Sequence, residues 1–374
     1  RANEYLTAYC ESENFKRISV DNIEPTAQVP YDYKGLYVEE LSEVINMEAI
    51  KAAGPKTLVD TLGGSGASYW KAIKERYGLD LTIIHDEYDP TFSFMTYDHD
   101  GKVRMDCSSP YVMESVINRI GDFDLAVGND PDYDRYGIVI SSGLVSANSF
   151  LTMAARYLFT TRGWKNKGIG KTVVCTTMID KWAASVEIPV FEVPVGFKYF
   201  SQLLFDGVIG IGGEESAGAS FLKKDGTVWT TDKDGIIMAL LSMEIMAVMG
   251  KSALKMADDF AENYGEPRFG RIDAPCKKEQ KQILKQLSAE LITATSVDGD
   301  PITGIRTTSM YNNMPIDGVR VETDKGWFVA RPSGTEDLYK IYGESYKGDL
   351  GLVALLTAGE EIVNAALNGK IDAE

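Results

Sequence analysis

Apolar and polar positions follow one rhythm over the first two thirds of this chain and another after it. From Thr57 onward, short apolar runs bounded by glycine alternate with stretches of helical period. Thr57–Asp60 reads as a buried strand, followed through Gly63-Gly64-Ser65-Gly66 by a helix at Ala67–Tyr77 and a strand at Leu81–His85. A helix is predicted at Tyr111–Asn118, and strands at Phe123–Gly128 and Tyr136–Ile140. The alternation then restarts with a helix near Phe150–Phe159. It continues with strands at Thr172–Cys175, Val190–Val193 and Val208–Ile211, and helices at Met178–Val186, Lys198–Phe205 and Gly235–Met249. After Pro267 the order changes to a helix at Lys278–Leu291, strands at Val319–Thr323, Trp327–Ala330 and Leu338–Tyr342, and a closing helix at Gly351–Leu367. Interleaved strands and helices predict two tandem mixed α/β domains, and the grouped strands predict an α+β domain behind them. Residues 1–40 are polar and aromatic, with Pro25 and Pro30, and read as a helix end and a connecting segment.

The chain has 374 residues, which at roughly 150 per domain allows two or three domains. With 44% hydrophobic residues it can bury several cores, so a disordered or fibrous chain is excluded. Its 38 basic and 55 acidic residues give a net charge of −17, which argues against nucleic acid or an anionic membrane surface as the main partner. A small anionic ligand held by a few local cations stays compatible with that field. No apolar run approaches the ~18 residues of a membrane span, and the first residues lack a charged-then-apolar leader. The cysteines at 10, 107, 175 and 276 form no CxxC pair, so a zinc ribbon is excluded and a cytoplasmic location is the expectation. The chain opens on Arg1 and runs into the helix-like Ala2-Asn3-Glu4-Tyr5-Leu6, which reads as a cut piece of something longer.

Three loops carry candidate chemistry. In Gly128-Asn129-Asp130-Pro131-Asp132-Tyr133-Asp134-Arg135, carboxylates at alternate positions follow a strand and can converge on a hard cation: Mg²⁺, Ca²⁺ or Mn²⁺. A calcium loop starting at Asp130 needs Gly at its sixth position and Glu at its twelfth, where Arg135 and Ser141 stand. A phosphatase-type DxDx[T/V] loop fits poorly too, with Asp134 at its last position, and an acidic surface turn stays open. Arg135 beside three acids suggests a phosphorylated partner. The second loop, Gly212-Gly213-Glu214-Glu215-Ser216-Ala217-Gly218, offers groups suited to vicinal sugar hydroxyls, or is an ordinary loop, as is Val193-Pro194-Val195-Gly196-Phe197-Lys198. The third, Arg331-Pro332-Ser333-Gly334-Thr335-Glu336, is a phosphate nest or a plain hairpin turn.

Other features read as structural. Gly63-Gly64-Ser65-Gly66 lacks the GxGxxG spacing and a following Lys-Ser/Thr, so close packing of strand on helix is the expectation. His85 and His99 are expected to be structural, and Met238, Met243, Met246 and Met249 fall at helical spacing and are expected in a core.

Together the ordered motifs NDPDYDR, VPVGFKYF, GGEESAGAS, TDKDG and RPSGTEDLYKIYGES resemble the α-D-phosphohexomutases, most of all the bacterial phosphoglucomutases. The resemblance implies domains 2 to 4 of a four-domain enzyme: 1–20 as the end of domain 1, 21–143 as α/β domain 2 with the metal loop, 144–265 as α/β domain 3 with the sugar loop, and 266–374 as α+β domain 4 with the phosphate loop. It implies Asp130, Asp132 and Asp134 as Mg²⁺ ligands, with Arg135 near a phosphorylated serine. Glu214, Ser216 and Lys198 would contact the sugar phosphate, and Arg331, Ser333, Gly334 and Thr335 its non-reacting phosphate. Lys233 would move a proton; at the first turn of a helix starting near Asp234, its pKa is expected to be lowered by the helix dipole. The family's Thr-x-Ser-His-Asn-Pro motif does not occur, and no serine precedes a histidine anywhere in the chain. The implied activity is an isomerase, interconverting glucose 1-phosphate and glucose 6-phosphate through glucose 1,6-bisphosphate and an enzyme phosphoserine. The piece alone would be inactive and would partner the missing first domain. A phosphomannomutase, another hexose preference, or a non-catalytic sugar-phosphate binding module are the alternatives.

Overall fold

The computed structural model describes residues 2–11, 18–27, 29–98, 101–250 and 260–369. They fall into two units, Arg1–Tyr37 and Val38–Glu374. The first holds the helix Ala2–Glu11 and the 3₁₀ turns Val20–Asn22 and Pro25–Ala27. Ser19 caps the first of these turns, its hydroxyl accepting from the Asp21 amide at 3.3 Å.

The second unit is built on three sheets. In the first, β1 (Thr57–Asp60), β2 (Leu81–Ile84), β3 (Leu125–Asn129), β4 (Tyr136–Ile140) and β5 (Gly143–Leu144) lie in the order β2-β1-β3-β4-β5. The three left-hand strands are parallel, and β4 and β5 turn back antiparallel. The second sheet repeats the plan with β6 (Gly168–Thr172), β7 (Val190–Val193), β8 (Ile209–Gly213) and β9 (Ala219–Phe221), ordered β7-β6-β8-β9 with only β9 antiparallel. Parallel strands need helical crossovers, and the helices Ala67–Tyr77 and Met178–Ser185 supply them. The third sheet is antiparallel: β10 (Arg268–Pro275), β11 (Ser296–Val297), β12 (Asp300–Thr308), β13 (Pro315–Thr323), β14 (Gly326–Pro332) and β15 (Leu338–Ser345), ordered β10-β15-β14-β13-β12-β11. The helix Gly348–Leu367 covers it, burying Leu355, Val363 and Ala366 against Phe328 and Ile341. A separate buried cluster of Val173, Val174, Ile316, Trp327, Val329 and Tyr342 ties the second sheet's domain to the third.

Several sequence expectations need correction. The strand expected at Thr172–Cys175 lies earlier, at β6, where buried Lys171 pairs with Asp180 and breaks the apolar pattern. The helix expected at Tyr111–Asn118 shrinks to Glu114–Ile117, and that at Lys278–Leu291 to Lys278–Lys285 with a 3₁₀ turn at Ala289–Leu291. Residues 33–53, placed partly in a connecting segment, form helices at Tyr33–Val44 and Met47–Ala53. Met238 and Met243 are core, but Met249 is exposed at the helix end. His85 pairs with Asp60 through Nδ1 at 2.8 Å, while His99 lies outside the described residues. Gly348–Leu367 is long and apolar enough by length and composition to cross a bilayer, which the run-length reading had excluded; its packing on the third sheet accounts for the apolar face.

Candidate active site

The repeated sheet plan puts two loops in equivalent places. Each joins the last parallel strand to its antiparallel neighbour: Asp130–Arg135 between β3 and β4, and Glu214–Gly218 between β8 and β9. The two loops meet. Arg135 and Gly218 form an antiparallel bridge, and the Tyr136 amide donates to the Ala217 carbonyl at 3.2 Å. The Gly235 amide reaches across to the Tyr133 carbonyl at 2.9 Å, and a Cβ on Gly235 would collide with the Arg135 carbonyl.

Within the first loop, carboxylate oxygens of Asp130, Asp132 and Asp134 lie within 4.8 Å of one another. The Arg135 amide donates to Asp130 Oδ1 at 2.9 Å, which curls the loop around the carboxylates. Burial, then Asp134 and Asp132, push the Asp130 pKa well up. The Arg135 guanidinium stands 3.7–3.8 Å from Asp106, Asp130 and Asp134, and its buried Nε has no hydrogen-bond partner. Burial works against the Arg135 charge, but those three acids outweigh it and hold its pKa above the ordinary value.

Lys233 joins the two loops. Its Nζ is ion-paired to Asp134 and lies 3.9 Å from Glu214 Oε2. The lowered pKa expected from a helix dipole is not found. Burial lowers it, but the hydrogen-bonded Asp134 and then Glu214 raise it further, so Lys233 holds its proton more tightly than a free lysine. The reason is local. The helix begins at Gly235, and Asp234 caps it by accepting from the Ile236 and Ile237 amides at 3.0 and 3.2 Å. Its positive end is thus occupied by a carboxylate.

Glu214 is buried, and burial followed by Glu215 pushes its pKa up to about 7, against the pull of Lys233 and Arg135 and a hydrogen bond from the Gly196 backbone. That bond brings the Val193–Lys198 segment to the second loop. Lys198 itself is exposed, with Nζ 5.1 Å from the Tyr199 ring centroid, and Ser216 is half-buried. In the third loop, between β14 and β15, Arg331 and Ser333 are buried, whereas Gly334 and Thr335 are exposed. Arg331 Nε donates to the Ile316 carbonyl at 3.4 Å, and Ser333 Oγ accepts from the Glu336 amide at 3.2 Å. Arg331 and Arg271 both act on Glu215, so the third loop shares one electrostatic neighbourhood with the second.

Models of the phosphoglucomutase/phosphomannomutase family match domain II at residues 36–143, domain III at 146–264 and the C-terminal domain at 273–350. The chain belongs to this family. A phosphoglucomutase of Komagataeibacter xylinus is 45% identical to this family member over 368 residues, or 97% of the chain. The match spans 66% of that relative's length, just under two thirds. Among solved structures, the open form of pp63/parafusin (phosphoglucomutase) from Paramecium has the same fold, with a TM-score of 0.68 at 20% identity, covering 89% of this chain and 62% of that one. An Aspergillus fumigatus N-acetylphosphoglucosamine mutase in complex with GlcNAc-6P and magnesium has a TM-score of 0.55 at 16% identity, covering 93% of this chain and 68% of that one. The phosphohexomutase architecture therefore accounts for both mixed α/β sheets and the sheet-and-helix domain behind them.

Two charged residues of this phosphohexomutase neighbourhood lie outside the sequence motifs: Asp106 and Arg271. Burial opposes the Arg271 charge, but Asp273, Tyr342, Asp106 and Glu215 hold its pKa above the ordinary value. The period-2 alternation of Arg268–Pro275 was the available signal for β10, which carries Arg271. Asp106 lies in an irregular segment and offers none.

The three carboxylates form an all-oxygen donor set, which fits a hard cation such as Mg²⁺. The burial of Asp130 and Glu214, each with acidic neighbours, has a measurable result. Glu214 and Asp130 both have raised folded-state pKa values, so the folded chain binds more protons than the unfolded one between the two values. For Glu214 the stabilisation is fully present below about pH 4.5 and lost as pH rises through about 7, a change on the order of 3 kcal/mol. Urea unfolding in chelator is therefore expected to show lower stability at about pH 8 than at about pH 5, with Mg²⁺ restoring more at the higher pH. A flat profile, or equal Mg²⁺ effects at both, would contradict the burial and crowding of these carboxylates.

Proposed function

We propose that this chain supplies the metal, sugar and phosphate loops of a phosphoglucomutase that interconverts glucose 1-phosphate and glucose 6-phosphate. The observation that carries it is the junction at Lys233, which is ion-paired to Asp134 of the carboxylate loop and lies 3.9 Å from Glu214 of the second. Identity of 45% to a relative named phosphoglucomutase favours glucose over mannose. In this reading Asp130, Asp132 and Asp134 hold Mg²⁺, which when bound neutralises charge on a transferring phosphoryl group. Arg135, beside these carboxylates, adds its positive charge to the same neutralisation. Lys233, kept protonated, donates at the reacting oxygen. Glu214 and Ser216 accept the sugar hydroxyls, and Lys198 with Arg331, Ser333, Gly334 and Thr335 takes the phosphate that does not react. The phosphoryl carrier is a serine in a Ser-His-Asn-Pro motif of a further domain, and glucose 1,6-bisphosphate is the intermediate that turns over between the two half-reactions.

Substrate anchoring is testable without chemistry. Arg331→Ala removes a charge-assisted fork, and calorimetry with glucose 1-phosphate and Mg²⁺ is expected to show a loss of about 1.5–3 kcal/mol, roughly 10–150-fold. Equal affinity in the two proteins would sink the assignment of the third loop.

A further inference from the structure

Three like charges within 4.8 Å repel, so the loop that carries them must be held by groups outside it. Asn129 is one. Fully buried, it accepts from the Trp70 indole at 3.0 Å and donates from Nδ2 to the Arg135 carbonyl at 2.9 Å, closing the loop at its base. Ser65 is the other. Its amide and its hydroxyl both donate to the Pro131 carbonyl, at 2.8 and 2.9 Å.

The turn bearing Ser65 is anchored from beneath. Buried Asp60 accepts from the Leu62 amide at 2.9 Å and the Ser115 hydroxyl at 2.6 Å, and it pairs with His85 Nδ1 at 2.8 Å. The His85 carbonyl in turn accepts from the Gly63 amide at 3.2 Å. Nor are the glycines of that turn explained by strand-on-helix packing. A Cβ on Gly64 would lie 2.5 Å from Pro131 Cα, and one on Gly66 would run into the Tyr133 ring. The Gly63–Gly66 turn is a seat for the carboxylate loop.

We propose that Asn129 and Ser65 are positioning residues that set the carboxylate spacing for a small divalent cation, favouring Mg²⁺ over Ca²⁺. This rests on the reading of Asp130, Asp132 and Asp134 as a metal site. Mg²⁺ requires near-octahedral geometry at about 2.0–2.1 Å, whereas Ca²⁺ accepts looser shells at about 2.3–2.6 Å. A loop released from its supports loses Mg²⁺ first. Asn129→Asp separates this from simple electrostatics. It keeps an acceptor for Trp70 and adds negative charge, which alone tightens any cation, but it loses the donor to the Arg135 carbonyl.

The experiment titrates Mg²⁺ and Ca²⁺ calorimetrically into the full chain, Asn129→Asp, Ser65→Ala and, as a stability control in the adjoining strand, Val139→Ala. Mg²⁺ affinity is expected to fall about tenfold in Asn129→Asp and about threefold in Ser65→Ala, with a smaller fall for Ca²⁺ and none in Val139→Ala. Ser65→Ala keeps the test alive where Asn129→Asp fails to fold. Unchanged or tighter Mg²⁺ binding in the variants, an equal fall for both ions, or a fall shared by Val139→Ala overturns the proposal alone. A parent chain that binds neither ion overturns the metal reading, and this inference with it.

Discussion

No glucose 6-phosphate is expected from the purified 374-residue chain supplied with glucose 1-phosphate, glucose 1,6-bisphosphate and Mg²⁺. Charge neutralisation and positioning speed phosphoryl transfer only where a nucleophile receives the group. No serine in this sequence precedes a histidine. Ser108 is a hydroxyl close to Arg135's acidic neighbours, and it is committed to Asp106, donating to Oδ1 at 2.7 Å. A polypeptide with a Ser-His-Asn-Pro domain ahead of this chain is expected to turn over, and Lys233→Ala in it to lose about 10²–10⁴-fold, the usual worth of a positioned proton donor. A coupled assay for glucose 6-phosphate decides. Turnover by the chain alone, abolished by Ser108→Ala, would move the carrier to Ser108 and refute the phosphoserine reading.

The second large effect is structural. Glu244 is fully buried on the helix Gly235–Met249. It accepts from Arg162 Nη2 at 2.7 and 2.9 Å, the Tyr157 hydroxyl at 2.8 Å and the Asn46 amide at 2.8 Å. Arg162 also donates to the Val44 carbonyl at 3.1 Å, so one carboxylate fastens the helices before β1 to the domain of the second sheet. Glu244→Leu leaves the guanidinium buried without its partner, and a cost of about 3–5 kcal/mol is expected in urea unfolding. Adding Arg162→Met is expected to recover much of that loss, because the stranded charge goes with it. A single mutant within about 1 kcal/mol of the parent would show that solvent reaches the pair after all.

What the sequence disclosed follows from where its signals lie. Ala67–Tyr77 and Gly235–Met249 were readable to the residue because Gly78 and Gly250 stop them in the left-handed conformation and Asp234 starts the second. Val190–Val193 was readable as an apolar run between punctuators. β10 and β12 were missed, since their residues are all exposed or half-buried, so the alternation along them has no fully buried face behind it. In the site, the spacing of Asp130, Asp132 and Asp134 was visible because all three lie in one loop. Asp106, in an irregular segment, was not, and nor was Arg271, which acts on Glu215 only after separate domains meet. The same cause reversed the inference about Lys233, whose two acidic neighbours are 99 and 19 residues away in sequence.

The seam between the first two domains is also a statement about descent. Arg135 pairs with Gly218, and Gly235 leaves room for the Arg135 carbonyl, so each module carries half of a mould for the other. Gene shuffling that joined residues 36–143 of one lineage to residues 146–264 of a distant one would inherit two half-moulds cut to different castings. Any side chain acquired at 235 strikes a carbonyl supplied by the other module. The pair is thus one heritable part.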